Sequence, residues 1–229
     1  MLKVFLILQD EPFYIPKMVK YLLNTQGKEF SIVGYTIMNP HRKNKRMVDW
    51  VKERTKLYNF QELSFVGFAF LVAKLLSKFG ITSSYSSKKL LVGQNISEIE
   101  SDDINSTQYI NRLKELDLDI IISISCPQIF QGELLSVPKV GCFNAHGTLL
   151  PRHRGVFGSW WTLFLDDEFA GSTIHTMELK LDAGVILWQK EFEVQKSDSQ
   201  YSIAYKTKRD MAFGLVEVLQ KQYNNEKLE

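Results

Sequence analysis

The sequence predicts an α/β fold, a central and mostly parallel sheet flanked by helices and closed by a C-terminal β-hairpin and a helix. Three observations predict it. The runs Leu2 to Leu8 and Asp119 to Ser125 are dominated by apolar residues, the pattern of strands covered on both faces. Pro16 to Asn24 carries Met18, Val19, Leu22 and Leu23 at helical spacing, as a crossover between parallel strands requires. Gly171 to Glu178 and Val185 to Val194 are β-rich and separated by Leu181-Asp-Ala-Gly184, so they read as a hairpin.

In chain order, the first strand leads into the Pro16 to Asn24 helix, whose first turn tolerates the proline. Phe30 to Ile37 is the second strand of a βαβ unit. Pro40 to Gly80 turns basic and then apolar, with Arg42, Lys43, Lys45 and Arg46 as a solvated face before a helix. Lys88 to Val92 reads as a short strand and Ser106 to Glu115 as a helix, with Leu116 to Asp119 as its exit. Asp119 to Ser125, with Ile120, Ile121, Ile122 and Ile124, belongs at the centre of the sheet. Phe143 to His146 follows as a short strand and Gly155 to Leu165, with Trp160 and Trp161, as a helix. After the hairpin, Tyr201 to Tyr223 is a closing amphipathic helix. The expected organisation is a main domain over residues 1–194 and a helical appendage, 195–229, packed on it.

The 229 residues are 45% apolar and 24% charged, enough to bury one substantial core. Twenty-eight basic and 26 acidic side chains leave a formal charge of +2. Without a basic excess, no nucleic-acid partner is expected. Cys126 and Cys142 lie in apolar stretches, where thiols act as small buried hydrophobes, so a cytoplasmic setting with reduced thiols is expected. Val4 to Leu8 is too short for a signal-peptide core, and without a secretory signal the Asn95-Ile-Ser97 and Asn105-Ser-Thr107 triplets are read as accidental. Phe65 to Leu76 is interrupted by Lys74 and is shorter than the roughly 20 residues that span a bilayer. It is expected to be a buried helix or a homodimer face, for which the C-terminal helix is the alternative, with no membrane insertion.

Several kinds of chemistry are excluded by their missing motifs. There is no GxxxxGK[ST] phosphate loop, no GxGxxG after the first strand, no GxSxG elbow and no CxxC. The histidines His41, His146, His153 and His175 lack zinc-type pairing, so no metal is expected. The informative stretch is Cys142-Phe-Asn-Ala-His-Gly-Thr-Leu-Leu-Pro-Arg-His-Arg-Gly155. On an extended strand, residues two apart share a side, so Asn144 and His146 face one space. An amide and an imidazolium converging there suit an oxygen that gains charge as a carbonyl becomes tetrahedral, acyl-transfer equipment without a nucleophilic serine or cysteine. Asp182, at a turn aimed back at that strand, would favour the protonated imidazole of His146 and accept a proton from an attacking amine.

These residues carry a resemblance. Asn144-x-His146 followed by Leu149-Leu-Pro-x-x-x-Gly155, then Gly171-x-Thr-x-His175 and Asp182-x-Gly184-x-Ile186, resembles the folate-dependent formyltransferases, which include glycinamide ribonucleotide, methionyl-tRNA and nucleotide-sugar N-formyltransferases. The resemblance is strongest from Asp119 to Glu193. It implies a Rossmann-like formyltransferase fold, 10-formyl-tetrahydrofolate as formyl donor, and Asn144, His146 and Asp182 as catalytic trio. It places the folate against Cys126, Pro127, Gln128, Ile129 and Phe130, with Leu135 and Cys142 as apolar wall and the backbone from Glu178 through Lys180 to Asp182 as the opposite edge. His175 is implied as support for the Asp182 turn.

The acceptor follows from departures within the family. The loop after the first strand, Gln9-Asp-Glu-Pro-Phe-Tyr-Ile-Pro16, lacks the glycine-rich phosphate loop of the purine-pathway branch. The stretch after Val194 is too short for the C-terminal barrel of the tRNA branch. The expected acceptor is a nucleotide-linked 4-amino-4,6-dideoxy sugar for cell-surface polysaccharide synthesis, held near Gln9, Glu11, Pro12 and Gly147, with Trp160, Trp161, Phe157 or Tyr14 available to stack on a base. The alternatives are methionyl-tRNA or another small amine as acceptor, hydrolysis of the folate donor, and a non-catalytic binder of folate or nucleotide sugar.

Overall fold

The computed structural model describes residues 1–9, 11, 13–38, 64–65, 67–69, 71–72, 75–76, 79, 86–94 and 96–226. The first strand, β1, is Leu2–Gln9, and Val4 to Leu8 are wholly buried within it. That two-sided burial is why the run shows no alternation of apolar and polar residues. Helix α1, Ile15–Thr25, begins where the Glu11 carboxylate accepts the amides of Phe13 (2.9 Å), Tyr14 (2.7 Å) and Ile15 (2.5 Å). One side chain thereby satisfies the amides of Tyr14 and Ile15 at the helix start and that of Phe13 just before it. Strand β2 is Phe30–Met38.

Lys88 to Val92 is not a strand. Ser87–Val92 is a short helix, α2, in which the Ser86 hydroxyl accepts the amide of Lys89. Leu91 is buried while Val92 stands 58% exposed, so the apolar residues serve one helical face rather than a pleat. The neighbouring strand is instead β3, Ser97–Glu98, paired in parallel with β2 at the sheet edge. A parallel partner for β2 needs a crossover element, and α2 provides part of it. The basic residues Arg42, Lys43, Lys45 and Arg46 lie outside the described residues, as do Pro12 and Asn95. The described positions between 64 and 76 are helical, and Phe65, Phe68, Leu71 and Leu75 on it are exposed.

Helix α3, Thr107–Lys114, precedes β4, Ile120–Ile124, whose five residues are all buried. A single turn not foreseen from the sequence, α4 at Gly132–Leu135, leads to β5, Gly141–His146. Helix α5 is Gly158–Phe164, and the hairpin is β6, Phe169–Thr176, with β7, Ile186–Glu193. Helix α6, Gln200–Tyr223, starts at a reciprocal Ser199 and Ser202 cap.

The strands form one sheet in the order β3-β2-β1-β4-β5-β6-β7. All pairs from β3 to β5 are parallel, and β5-β6 and β6-β7 are antiparallel. Alternate residues of β1 and β4 feed two cores. Val4, Leu6, Leu8, Ile120 and Ile122 pack with Met18 and Leu22 of α1 and with Met211 and Leu215 of α6. Phe5, Ile7 and Ile121 pack with Tyr109 and Ile110 of α3 and Leu134 of α4. The residues after Val194 thus enter the main core. Among the described residues no helix is long and apolar enough to cross a membrane.

Strand order reverses between β1 and β4, which places a crevice at the carboxyl ends of those strands, where open α/β sheets hold their ligands. The antiparallel half carries the close approach of α6. A Cβ at Gly214 would meet the Trp188 ring at 2.5 Å, and Trp188 is tied by its indole N–H to Glu217 at 3.0 Å. Alanine normally stabilises a helix interior by about 1 kcal/mol over glycine. Here Gly214→Ala is expected to destabilise by roughly 1–3 kcal/mol through overpacking, and Trp188→Ala in the same chain to relieve part of that loss, measured by denaturant unfolding.

Candidate active site

The site grows from the pairing of β5 with β6. Asn144 stands opposite His175 and His146 opposite Thr173 in the antiparallel register. The Gly171-x-Thr-x-His175 pattern therefore aligns one face of β6 against the strand and loop that follow Cys142. Gly171 leaves room for Leu149, which a Cβ would strike. The Thr173 hydroxyl donates to the Thr148 carbonyl at 2.7 Å and accepts the Leu150 amide at 3.2 Å, pinning the loop. His175 Nδ1 donates to the Thr176 carbonyl at 2.7 Å, so its Nε2 is left to accept the Asn144 amide at 3.1 Å.

Asp182 enters from the hairpin turn with its own φ at 47° in the left-handed region, which Asp tolerates better than most residues. Gly184 then passes so close to the Thr176 carbonyl that no side chain fits there. The Asp182 side chain is 6% exposed. Its Oδ2 accepts the Gly155 amide at 2.7 Å and lies 3.7 Å from His146 Nδ1, and its Oδ1 lies 3.6 Å from His175 Nε2 and 3.5 Å from Asn144 Nδ2. Gly155 has φ 91°, which explains the glycine of the motif. His146 Nε2 donates to the His153 carbonyl at 3.1 Å, and His153 is anchored by Asp167 at 2.5 Å.

The four side chains predicted to act together are thus brought together. Their charge state differs from the expectation. The pKa of His146 is lowered from 6.5 because burial outweighs the attraction of Asp182, with His175 and Lys208 adding to the depression. Burial lowers His175 as well. Asp182 therefore faces a neutral imidazole, not an imidazolium. With Nε2–H spent on His153, the lone pair of His146 is on Nδ1, towards the carboxylate. The donor atoms of His146, His175 and Asp182 lie within 4.8 Å of one another, close enough to share a metal ion, although His175 Nε2 is already taken by Asn144.

The residues implied for folate are placed unevenly. Phe130 and Cys142 are buried in the second core, and burial pushes the thiols of Cys126 and Cys142 up to about 11 and about 12. Gln128 is occupied by Asp102 and Ile104, and Pro127 and Leu135 are half-buried. Ile129, Glu178 and Lys180 are exposed. The two implied edges meet, since a Cβ at Gly132 would lie 3.6 Å from Leu179. Ile129, Leu179 and Leu181 on these segments are exposed. Of the residues expected to hold the acceptor, Gln9 ends β1, Gly147 follows β5 and the Glu11 carboxylate accepts amides at the start of α1.

Trp160 stacks on Phe164 at 4.6 Å within α5. Sequence reasoning missed Lys208, whose ammonium reaches Ser125 Oγ at 2.5 Å and whose pKa burial lowers to about 8. One lysine among several on a helix carries no sequence signal of that burial.

A formyl transferase family model matches residues 71–219, more than half of the chain. The chain belongs to the formyl transferase family. Among relatives of this formyl transferase, the methionyl-tRNA formyltransferase of Prochlorococcus marinus (strain MIT 9312) is 39% identical over 105 residues, 46% of this chain and 31% of the relative. The first curated relatives are matched over only 24% to 31% of their own length. Two solved structures share the fold. A phosphoribosylglycinamide formyltransferase from Anaplasma phagocytophilum has a TM-score of 0.69 at 15% identity, covering 98% of this chain and 87% of that one. A sugar N-formyltransferase from Shewanella sp. FDAARGOS_354 has a TM-score of 0.63 at 18% identity, covering 100% and 73%.

Because both imidazoles resist protonation when folded, the unfolded chain takes up protons first as pH falls through 6.5. Their contribution to stability is complete above that value and is lost below it. The thermal unfolding midpoint is expected to fall from about pH 7.5 to about pH 5.5, and His175→Gln to shrink that fall.

Proposed function

We propose that the protein transfers a formyl group from 10-formyl-tetrahydrofolate to the amine of a nucleotide-linked 4-amino-4,6-dideoxy sugar. The observation that carries the transfer is the convergence of Asn144 and His146 on Asp182, at 3.5 and 3.7 Å, at the end of β5. The folate supplies an activated formyl carbon bonded to N10. His146 Nδ1 takes the proton of the attacking amine, and Asp182 stabilises the imidazolium that results. The Asn144 amide directs its more weakly held N–H, the one 3.5 Å from Asp182, to the oxygen as it becomes an oxyanion. The new C–N bond forms, the bond to N10 breaks, and His146 returns its proton to N10. His175 holds the Asn144 amide in place through the bond at 3.1 Å.

The sugar acceptor is supported by the loop after β1, where the Glu11 carboxylate binds the amides at the start of α1 in place of a glycine-rich phosphate loop. Homodimerisation through Phe65, Phe68, Leu71 and Leu75 is proposed with it, and a monomer by light scattering at micromolar concentration would count against it.

Incubation with 10-formyl-tetrahydrofolate and a panel of nucleotide-linked amino sugars is expected to yield a product heavier by one formyl group. Absence of any formylated sugar, with formylation of methionyl-tRNA or another amine instead, would replace the acceptor. His146→Ala is expected to lower turnover by about two to four orders of magnitude and Asn144→Ala by about two to three, with folate binding retained. Asp182→Asn is expected to abolish most turnover with little change in folate affinity. A non-catalytic binder would show no turnover to lose.

A further inference from the structure

His146, His175 and Asp182 are too widely separated along the chain to show a metal-ligand spacing, and the pairing of β5 with β6 and the hairpin turn bring them to one point. The two imidazoles are already arranged as ligands. His146 spends its Nε2–H on the His153 carbonyl at 3.1 Å, and His175 spends its Nδ1–H on the Thr176 carbonyl at 2.7 Å. A histidine that binds a metal almost always donates its other ring N–H in this way, because that bond fixes the tautomer and the plane of the ring. The remaining lone pairs, on His146 Nδ1 and His175 Nε2, lie 3.7 and 3.6 Å from the Asp182 oxygens. The rings stand at 79° to each other, so they meet the carboxylate from two directions rather than stacking.

The carboxylate is prepared as well. The Gly155 amide holds Oδ2 at 2.7 Å, while the approach of Asn144 Nδ2 to Oδ1, at 3.5 Å, is at the limit of a hydrogen bond. Tetrahedral zinc, with bonds of about 2.0–2.2 Å, sets its ligand atoms about 3.3–3.6 Å apart. The two separations from Asp182 lie at the upper edge of that range, and all three ligand atoms are within 4.8 Å of one another. Two nitrogens and a carboxylate suit zinc, whereas magnesium and calcium take shells of oxygen. Leu181, beside Asp182, is half exposed, so the turn that carries the carboxylate borders solvent and gives an ion a short way in. Two features oppose binding. The Asn144 amide donates to His175 Nε2 at 3.1 Å and must be displaced, and the charge of Lys208 reaches His146. Both set the affinity near micromolar, well below that of structural zinc, without closing the site.

We propose that His146, His175 and Asp182 form an inhibitory site for zinc, whose occupation holds the enzyme inactive. The ion takes the Nδ1 lone pair of His146 and the charge of Asp182, so neither is left for the proton of an amine. The bond from Asn144 to His175 is lost at the same time, and with it the orientation of the amide. Binding follows from the geometry alone, and the inactivation rests on the formyl-transfer reading.

The test titrates the full chain, stripped of metal by EDTA, with zinc against a chromogenic chelator and with cobalt(II) followed by visible absorption. One ion per chain is expected, with the absorption of four-coordinate cobalt on nitrogen and oxygen, no sulfur charge-transfer band from Cys126 or Cys142, and no competition from magnesium. His175→Ala is expected to weaken binding at least about tenfold. Loss of a buried side chain also threatens folding, so Asn144→Ala carries the opposite expectation, a gain in affinity of about three- to tenfold as Nε2 is freed. A misfolded chain does not bind more tightly. Formyl transfer is expected to fall as zinc binds, with the same midpoint, and to return with EDTA. Absence of binding at about 100 μM zinc, a sulfur band, or an affinity untouched by both variants would overturn the site. Undiminished transfer by the zinc-loaded protein would overturn the inactivation. If zinc binds as described and no formyl group is transferred with or without EDTA, the formyl-transfer reading falls and the metal site stands. If transfer proceeds and zinc does not bind, the metal site falls alone.

Discussion

The arrangement depends on one buried carboxylate shared between three chain segments. Asp182 comes from the hairpin turn, accepts the amide of Gly155 from the loop after β5, and faces side chains of β5 and β6 at 3.5 to 3.7 Å. An uncompensated carboxylate in such a place would be costly. The Gly155 amide offsets part of that cost, and the same bond fixes the loop whose His153 carbonyl orients His146. Binding the carboxylate and orienting the base are consequences of one loop conformation.

The two histidines show how packing sets chemistry. Both lie within 4 Å of Asp182, and proximity alone would charge them. Both are nevertheless depressed, because the walls that hold Asp182 also remove water from the imidazoles. Hydrogen bonds then assign the tautomers. His175 donates from Nδ1 and accepts at Nε2, and His146 donates from Nε2 and keeps its lone pair on Nδ1. Two residues of the same type thus present different atoms to the site, one accepting an amide at Nε2 and one with its Nδ1 lone pair unspent.

At the sheet reversal, α6 joins the core to the loop after β4. Its apolar face, with Met211 and Leu215, packs on the sheet, while Lys208 on a neighbouring face extends to Ser125. The close seat of Gly214 on Trp188 holds this helix against the hairpin that carries Asp182. Disturbing the packing of α6 would therefore be felt on both sides of the site.

The sequence by itself determined the features that depend on local periodicity and residue chemistry. Runs dominated by apolar residues marked β1 and β4, and the period of two in Gly171-x-Thr-x-His175 and Asn144-x-His146 marked the faces that meet. Short apolar runs do not distinguish strand from helix, which is why Lys88 to Val92 reads as a strand although α2 occupies it. The charge of His146 and the burial of Lys208 were decided only by tertiary structure. Desolvation depends on which distant segments close over a group, and no spacing along the chain records that.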